Sequence, residues 1–429
     1  MMKAKIKTIL ISVVIIIFFL QVKTLATEIP TEEINDITAP NVLLAETETG
    51  KILYQKNIDE KIYPASITKL LTAILVVENC ELDEIVTVSE NAVKSVPSGY
   101  VNANLQIGEE LTVNDLLNVM LIPSANDAAN ALAEHVGGSI ESFSTMMNTR
   151  ANELGCTGSN FTNPSGLHQK EHYTTVRDLL FISKEAISND IIKKIINTNN
   201  YTLPKTNKYT GTSRIFTTTN YMKRESLKKY FYKYCIGGKT GYTGEAKNCV
   251  VEFTEKNGIM LTAIVMGESA GVKGKKFLDC KQLVEYVYKN YENKNIAESQ
   301  EKYETVKISN ATKETQNLDI IYKSSINILE SKKINIENIE KNVEYTNLKA
   351  PIEEGSVVGS IKYLYEGIEY ESELIAGENV EESKMLSYIL YILIPILIIY
   401  ILYNYKKSNR KNKRNKRNYY RQKAKTIYK

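Results

Sequence analysis

The chain has 429 residues and a formal net charge of +4, and it is long enough for two or three domains with a sizeable core. The charge is unevenly distributed, because residues 1–26 hold four Lys and residues 406–429 hold twelve Lys or Arg and no acidic residue. The rest of the chain has 38 basic and 50 acidic residues, a net charge of −12. This balance argues against nucleic acid, or an anionic polymer backbone, as the main partner.

The cysteines do not indicate a disulfide framework or a metal-binding motif. There are five of them, they are scattered, and their odd number leaves at least one thiol unpaired. The chain has no C-x-x-C pair, which argues against a thioredoxin-like site and against a zinc ribbon.

The first residues resemble an export signal. Residues 1–26 combine a lysine-rich start, an apolar run from Ile9 to Leu20 and a small-residue site that ends at Ala26. This pattern predicts a secretory signal peptide. The alternative is an uncleaved membrane anchor, which is less favoured because the apolar run is short for a membrane span. Residues 27–39 are polar and are predicted to be a leader segment.

Residues 40–292 predict an α+β domain. Two short strands, Val42–Glu46 and Lys51–Gln55, flank a turn and form a hairpin. Helices follow at a segment that opens at Ser66 and at Val113–Leu121, Asp127–His135, Glu141–Leu154 and Val176–Ile187. Strands are then predicted at Tyr232–Lys239, Lys247–Phe253 and Ile259–Met266, and a last helix at Lys275–Tyr291. Strands at both ends with helices between them predict an antiparallel sheet with a helical insertion.

The end of the chain predicts a small domain and a membrane anchor. Residues 300–378 contain short β-patterned runs and are expected to form a small all-β domain. Met385–Tyr403 is uncharged and long enough for one transmembrane helix. The basic tail, residues 404–429, is then cytoplasmic by the positive-inside rule, and the domain at 40–292 lies outside the cytoplasm.

The first cluster of residues that could carry out catalysis is Ser66-Ile67-Thr68-Lys69. Residues three apart on a helix share a face, so the Ser66 hydroxyl and the Lys69 amine can meet. A serine hydroxyl needs a base to become a good nucleophile. Lysine serves as a base only if its pKa falls from about 10.4 toward 7–8. This pKa shift corresponds to a free energy of roughly 4 kcal/mol. Burial and a second nearby cation produce such a shift.

Two further clusters follow along the chain. Ser124 and Asn126 lie between two predicted helices, where a hydroxyl and a carboxamide can relay a proton and hold a substrate amide. Lys239-Thr240-Gly241 is predicted at the end of a strand. The lysine there supplies positive charge for a substrate carboxylate and lowers the pKa of a neighbouring lysine. The glycine leaves room for a ligand backbone along the strand.

The order of these clusters resembles one enzyme family. S-x-x-K at the start of a helix, S-x-N between helices and K-T-G on a strand are the motif set of the penicillin-recognising serine enzymes. In detail the chain resembles the low-molecular-mass penicillin-binding proteins, the D-alanyl-D-alanine carboxypeptidases of peptidase family S11. Further segments that resemble this family are 64–69, 161–167, 172–175, 238–243 and, in its C-terminal β domain, 350–362.

The resemblance implies a serine β-lactamase/DD-peptidase-like fold and a reaction. The enzyme would remove the terminal D-Ala from peptidoglycan stem peptides through an acyl-enzyme, and penicillins would inhibit it covalently. The implied catalytic residues are Ser66, Lys69, Ser124 and Asn126. The implied substrate-binding residues are Lys239, Thr240, Gly241 and Tyr242, with the N–H groups of Ser66 and Tyr242 as the oxyanion hole. No cofactor and no metal are implied.

One feature departs from the family, and three alternatives stay open. Family members usually end in an amphipathic helix on the membrane, whereas this chain has a predicted span and a basic tail.

His168 to His172 reads H-x-x-E-H, an inverted zinc-peptidase motif, although Pro and Gly nearby favour a loop. A β-lactamase would need a carboxylate for deacylation, for which Glu171 is the candidate. A catalytically silent peptidoglycan-binding scaffold is the third alternative.

Overall fold

The computed structural model describes Ile34 and residues 36–211, 213–269, 271–337, 339–346 and 348–427. The predicted signal peptide and most of the predicted leader lie outside these residues. The chain forms two compact units. The first comprises the chain up to Lys294 together with Asn327–Ile339 and Leu364–Tyr370. The second comprises Asn295–Ile326, Glu340–Tyr363 and the chain from Glu371 onward.

A five-stranded antiparallel sheet is the centre of the first unit. Its strands are β1 (Asn41–Glu46), β2 (Ile52–Lys56), β7 (Cys235–Thr243), β8 (Lys247–Lys256) and β9 (Ile259–Glu268), in the order β2-β1-β9-β8-β7. The strand from the start of the chain joins those that follow residue 230 through the pairing of β1 with β9. Between β2 and β7 the chain forms most of the helices of this unit, so the predicted sheet with a helical insertion is confirmed.

The sheet separates two hydrophobic cores. Successive side chains of a strand point to opposite faces, and β9 shows this alternation, since Ile264 belongs to one core and Val265 to the other. The first core contains the apolar faces of the inserted helices. The second lies under the helix that follows β9. Both faces of the sheet are therefore covered, and β7, β8 and β9 are mostly buried.

Six helices of the first unit lie where the sequence predicts them, to within a few residues, and two short ones, Glu90–Lys94 and Asp190–Ile196, were not predicted. They are α1 (Lys69–Asn79), α2 (Glu90–Lys94), α3 (Val113–Leu121), α4 (Asn126–Gly137), α5 (Ile140–Glu153), α6 (Val176–Ser188), α7 (Asp190–Ile196) and α8 (Lys275–Asn290). Side-chain caps fix several starts, because an N-cap oxygen accepts an otherwise unpaired backbone N–H. Ser139 caps α5 and Thr175 caps α6 in this way.

The remaining strands form smaller sheets. Two-stranded sheets pair β3 (Ile85–Thr87) with β4 (Glu110–Thr112), β5 (Asn200–Leu203) with β6 (Arg214–Thr217), and β10 (Tyr291–Ala297) with β13 (Ile326–Ser331). A second five-stranded sheet is formed by β11 (Lys302–Lys307), β12 (Asn317–Tyr322), β16 (Ile368–Ala376), β15 (Val357–Tyr365) and β14 (Glu340–Tyr345), in that order. The region predicted to be a small all-β domain, residues 300–378, therefore does form β-strands.

The last element of the described chain is one long helix, α9 (Met385–Ile427). The part Tyr388–Arg421 is long and apolar enough to cross a membrane, judged by length and composition. Its large apolar side chains are exposed. The helix is a candidate membrane anchor, and it continues past Tyr403, where the predicted span ends, into the basic tail.

Candidate active site

Ser66 lies on a short 3₁₀ helix, Ala65–Thr68, and α1 begins only at Lys69. The prediction of an α-helix that opens at Ser66 is therefore wrong by one turn. The consequence for the side chains is small, because residues i and i+3 of a 3₁₀ helix eclipse each other. Ser66 and Lys69 still share a face, and Ser66 Oγ lies 2.9 Å from Lys69 Nζ.

The Lys69 amine is buried and has three polar neighbours. Besides Ser66 Oγ, its Nζ lies 2.6 Å from Asn126 Oδ1 and 2.7 Å from the backbone carbonyl oxygen of Ser165. A backbone carbonyl only accepts hydrogen bonds, and the amide oxygen of Asn126 does the same. An ammonium would donate to all three oxygens, whereas a neutral amine would donate to two of them and accept from the Ser66 hydroxyl.

The electrostatics favour this neutral form. Burial, and then the nearby Lys239, hold the pKa of Lys69 well below the ordinary lysine value, while Asp127 opposes the shift. Burial and then the charge of Lys276 lower the pKa of Lys239 to about 7. Desolvation and like charges both disfavour an ammonium ion. Burial and the neighbouring Lys239 thus favour the neutral form of the Lys69 amine.

The second cluster forms the turn between α3 and α4. Ser124 has a left-handed backbone with φ of 74°, and Asn126 is the first residue of α4. The backbone N–H of Asn126 donates to the Val101 carbonyl. The next residue, Asp127, is buried and accepts N–H bonds from Ala103 and Leu105. These bonds fix the turn, so the predicted position of S-x-N between two helices is confirmed.

The third cluster lies within β7, not at its end. The predicted strand ended at Lys239, whereas β7 continues to Thr243 because residues 239–243 pair with β8. β7 is an edge strand of the sheet, which leaves one side for an extended peptide. Lys239 Nζ donates to Ser124 Oγ at 2.8 Å and to the Thr240 carbonyl at 2.8 Å. The second and third clusters are thereby joined directly.

Gly241 lets the edge strand lie close to the turn that contains Ser66. A Cβ atom at this position would lie 3.1 Å from the backbone nitrogen of Ser66 and 3.1 Å from the Cβ of Ala65. A side chain would therefore crowd the place where an oxyanion would approach the Ser66 N–H. Glycine is the residue that permits this close approach.

A cavity of about 960 Å³ opens at these residues. Its lining includes Ser66, Ser124, Thr240, Gly241 and Tyr242. Tyr242 is 63% exposed. It contributes to the edge of the strand through its backbone. Lys69 and Lys239 are not among the lining residues and act from beneath the surface, since they are at most 1% exposed.

Sequence reasoning missed four groups at this site. Arg224 and Lys276 line the cavity and add positive charge, and Thr219 Oγ1 lies 2.6 Å from Thr240 Oγ1. The carbonyl of Ser165 holds Lys69. The resemblance of segment 161–167 to the family was the signal for Ser165. Lys276 carries no local signal, because its role depends on how α8 packs under the sheet.

The histidines of the H-x-x-E-H segment do not form a zinc-peptidase helix. The segment lies in a loop between α5 and α6. Both ring nitrogens of His172 have protein partners, namely the Thr162 backbone N–H at Nδ1 and Thr68 Oγ1 at Nε2. Glu171 is exposed and does not line the cavity with Ser66. The loop assignment is confirmed, and Glu171 is not placed to activate water at Ser66.

Comparisons with known proteins agree with this geometry. A family model described as D-alanyl-D-alanine carboxypeptidase, peptidase family S11, matches residues 26–270. A model of the penicillin-binding protein 5 C-terminal domain matches residues 291–382. The D-alanyl-D-alanine carboxypeptidase DacF of Bacillus subtilis is 29% identical over 368 residues, which cover 82% of this chain and 88% of that protein. DacC of Escherichia coli, also a D-alanyl-D-alanine carboxypeptidase, is 28% identical over 362 residues, with coverages of 81% and 86%.

Solved structures show the same fold. Penicillin binding protein 5 from Haemophilus influenzae matches 81% of this chain and 98% of its own, with 25% identity and a TM-score of 0.62. PBP3 from Streptococcus pneumoniae, described as a peptidoglycan synthesis regulatory factor, matches 81% and 100% with 24% identity and a TM-score of 0.71. The second likeness concerns the fold alone. The chain belongs to the D-alanyl-D-alanine carboxypeptidase family, peptidase family S11, and is a serine-type DD-carboxypeptidase of cell-wall peptidoglycan.

Proposed function

We propose that Ser66 is the nucleophile of this DD-carboxypeptidase and that Lys69 is its general base. The single observation that carries the proposal is the buried Lys69 amine, 2.9 Å from Ser66 Oγ and fixed by two oxygen acceptors. Since burial and Lys239 lower the pKa of this amine, it takes the serine proton at neutral pH. Asn126 holds the amine in line and leaves Ser66 as its reactive partner.

In acylation, Ser66 Oγ forms a bond to the carbonyl carbon of the penultimate D-Ala as its proton passes to Lys69 Nζ. The carbonyl oxygen becomes an oxyanion, which the N–H groups of Ser66 and Tyr242 stabilise. The C–N bond then breaks, and the departing D-Ala nitrogen receives the proton from Lys69. We assign a relay role in this transfer to the Ser124 hydroxyl, because it lines the cavity with Ser66.

In deacylation, water attacks the acyl-enzyme as Lys69 accepts one of its protons, and that proton returns to Ser66 Oγ when the ester bond breaks. A penicillin would acylate Ser66 by the same first step, because its lactam carbonyl replaces the scissile peptide. The leaving nitrogen of a lactam stays tethered to the acyl group, and this accounts for covalent inhibition.

The free carboxylate of the substrate is assigned to the Lys239 and Thr240 end of the cavity. Thr240 lines the cavity, and the neighbouring Lys239 is buried with a pKa of about 7. A bound carboxylate would raise that pKa and restore the full charge. The peptide backbone would lie along the edge of β7, whose outer side has room beside Gly241.

The third part of the proposal is the topology. α9 would cross the membrane with its basic end in the cytoplasm, because twelve cationic residues resist export. The catalytic unit would then lie outside the cytoplasm, where its substrate is. Protease added to intact protoplasts should remove the catalytic unit and spare an epitope tag placed after Lys429. Equally rapid loss of the tag, or extraction of the protein by alkaline carbonate, would contradict the spanning helix.

Release of D-Ala from a stem-peptide substrate tests the assignment of residues. Ser66→Ala should abolish release and penicillin labelling while circular dichroism stays unchanged. Lys239→Gln should impair hydrolysis of a free-acid peptide at least tenfold more than hydrolysis of the matching C-terminal amide, since a charge-assisted hydrogen bond contributes about 1.5–3 kcal/mol. Equal losses on both substrates would show that Lys239 does not bind the carboxylate. If Ser66→Ala still releases D-Ala and a chelator stops this release, the result would favour metal catalysis instead.

A further inference from the structure

The loop from Phe161 to Thr175 supports the turn that carries Ser66. The carbonyl of Pro164 accepts a hydrogen bond from Thr72 Oγ1, and the next carbonyl, that of Ser165, accepts one from Lys69. Gly166, with φ of +82°, lies so close that a Cβ atom there would be 1.8 Å from the carbonyl oxygen of Ala65. The proposed mechanism uses one atom of this loop and leaves its two histidines, His168 and His172, without a role.

His172 continues the same contact by a chain of hydrogen bonds. The Thr162 backbone N–H donates to His172 Nδ1 at 3.0 Å. His172 Nε2 lies 2.9 Å from Thr68 Oγ1, and Thr68 Oγ1 donates to the carbonyl oxygen of Ala65 at 2.8 Å. The chain therefore ends on the residue that precedes the nucleophile.

The direction of every bond in this chain is fixed. A backbone N–H is always a donor, so Nδ1 of His172 accepts and carries no proton. A neutral imidazole must then carry its proton on Nε2, which donates to Thr68. The ring stays neutral, because burial first, and then nearby His168 and Lys69, lower its pKa to about 3. Thr68 accepts from His172 and has its own proton available for Ala65.

Ala65 needs such support. Its φ is +47°, a left-handed conformation that non-glycine residues seldom adopt. The Ala65 carbonyl belongs to the peptide group whose N–H is that of Ser66. A hydrogen bond on the carbonyl oxygen and the packing of Gly166 thus fix the plane of this peptide and the direction of the Ser66 N–H. That N–H is one of the two donors assigned to the oxyanion hole.

We propose that His172 is a positioning residue for acylation, which acts through Thr68 and Ala65 on the peptide plane of Ser66. The inference rests on the proposed role of Ser66. It assigns His172 no proton transfer with substrate, since its ring nitrogens are both occupied and its side chain is 1% exposed. Loss of the chain would slow acylation and leave the initial, non-covalent binding of substrate or penicillin unchanged.

The test measures the acylation rate constant and the dissociation constant of the initial complex separately, by stopped-flow with a fluorescent penicillin. Thr68→Val removes the hydroxyl at nearly constant shape, and Thr68→Ser keeps it. His172→Asn reproduces the Nδ1 acceptor and loses the donor to Thr68. His172→Gln carries an amide N–H that reaches the position of Nε2. Each rate is expressed relative to the amount of enzyme that can be acylated. Thermal unfolding shows whether each variant is folded.

Thr68→Val and His172→Asn should each acylate about tenfold or more slowly at an unchanged dissociation constant, whereas Thr68→Ser and His172→Gln should retain most of the rate. The double variant, Thr68→Val with His172→Asn, should be no slower than the slower single variant, because both break one chain. Normal acylation by Thr68→Val, or multiplied effects in the double variant, would overturn the proposal.

If the His172 variants do not fold, the Thr68 pair still tests the chain of hydrogen bonds, because normal acylation by Thr68→Val would overturn the proposal. A penicillin adduct on Ser66 in the wild-type enzyme, found by peptide mapping, tests the proposed function separately. An adduct elsewhere would contradict the role of Ser66. An adduct on Ser66 combined with a normal rate for Thr68→Val would contradict only the role of His172.

Discussion

Lys69 Nζ lies 2.9 Å from Ser66 Oγ in a place where its pKa is held well below the ordinary lysine value. The pair therefore depends on a neutral amine more than on a positive charge. Lys69→Arg keeps a cation but has no accessible deprotonated form. It should lower the acylation rate about 10²–10⁴-fold, and Lys69→Met should lower it by a similar factor, because general base catalysis contributes that much. Substantial acylation by the arginine variant alone would show that the charge, not the base, is needed.

The charge of Lys276 should set the pH range in which Lys239 works. Lys276→Met removes the charge that helps to lower the pKa of Lys239, so that pKa should rise above about 7. Lys239 then stays protonated to higher pH, and the alkaline decline of kcat/KM for a free-acid peptide should move upward. Lys273→Met is the matched control, because Lys273 lines the same cavity but is exposed. An equal upward shift in both variants would contradict a specific effect of Lys276.

A side chain at Gly241 should obstruct the oxyanion site. In Gly241→Ala the new Cβ would lie 3.1 Å from the Ser66 backbone nitrogen, so the strand edge and the nucleophile turn must move apart. Loss of one oxyanion donor lowers rates about 10²–10³-fold, and we expect a fall toward that range in the acylation rate constant. Gly244→Ala is the control, since it lines the same cavity and its Cβ would meet no atom within 4 Å. A Gly241→Ala enzyme as active as this control would exclude a close approach at Ser66.

Buried His172 should make the fold sensitive to acid. Its folded-state pKa of about 3 lies below the ordinary 6.5, so between these values the unfolded chain binds the extra proton. Stability is then lost as the pH falls through this window, at up to about 1.4 kcal/mol per pH unit. Urea unfolding at pH 7 and pH 4.5 should show that the free energy of unfolding falls less between these pH values for His172→Gln than for the wild type. Equal losses would mean that His172 is protonated in the folded protein.

Much of the fold was predictable from local pattern. The bounds of α3 are as predicted because an apolar helical face follows a Thr112 cap, and α6 begins where Thr175 caps it. The strand containing Lys239 was predicted to begin and end too early, as Tyr232–Lys239 instead of Cys235–Thr243, because Gly241 and Gly244 have low strand propensity and indicate a turn. Pairing with β8 overrides that propensity.

The site was predictable as a set of side chains but not as a network. The three-residue spacing of Ser66 and Lys69 predicts their contact, and the K-T-G motif of the family that the chain resembles identified Lys239. The Ser165 carbonyl is a backbone atom, so no residue type marks it. Lys276 is 37 positions beyond Lys239 in the sequence and reaches the site only through tertiary packing, which no local pattern encodes.

The most direct test of the central claim is mass spectrometry of the purified protein, from residue 27 to residue 384, after incubation with a penicillin. Intact mass should rise by the mass of one penicillin, and peptide mapping should place the adduct on Ser66. Ser66→Ala should show no mass increase under the same conditions. An unmodified wild-type protein that still releases D-Ala, or an adduct on any other residue, would contradict acylation of Ser66.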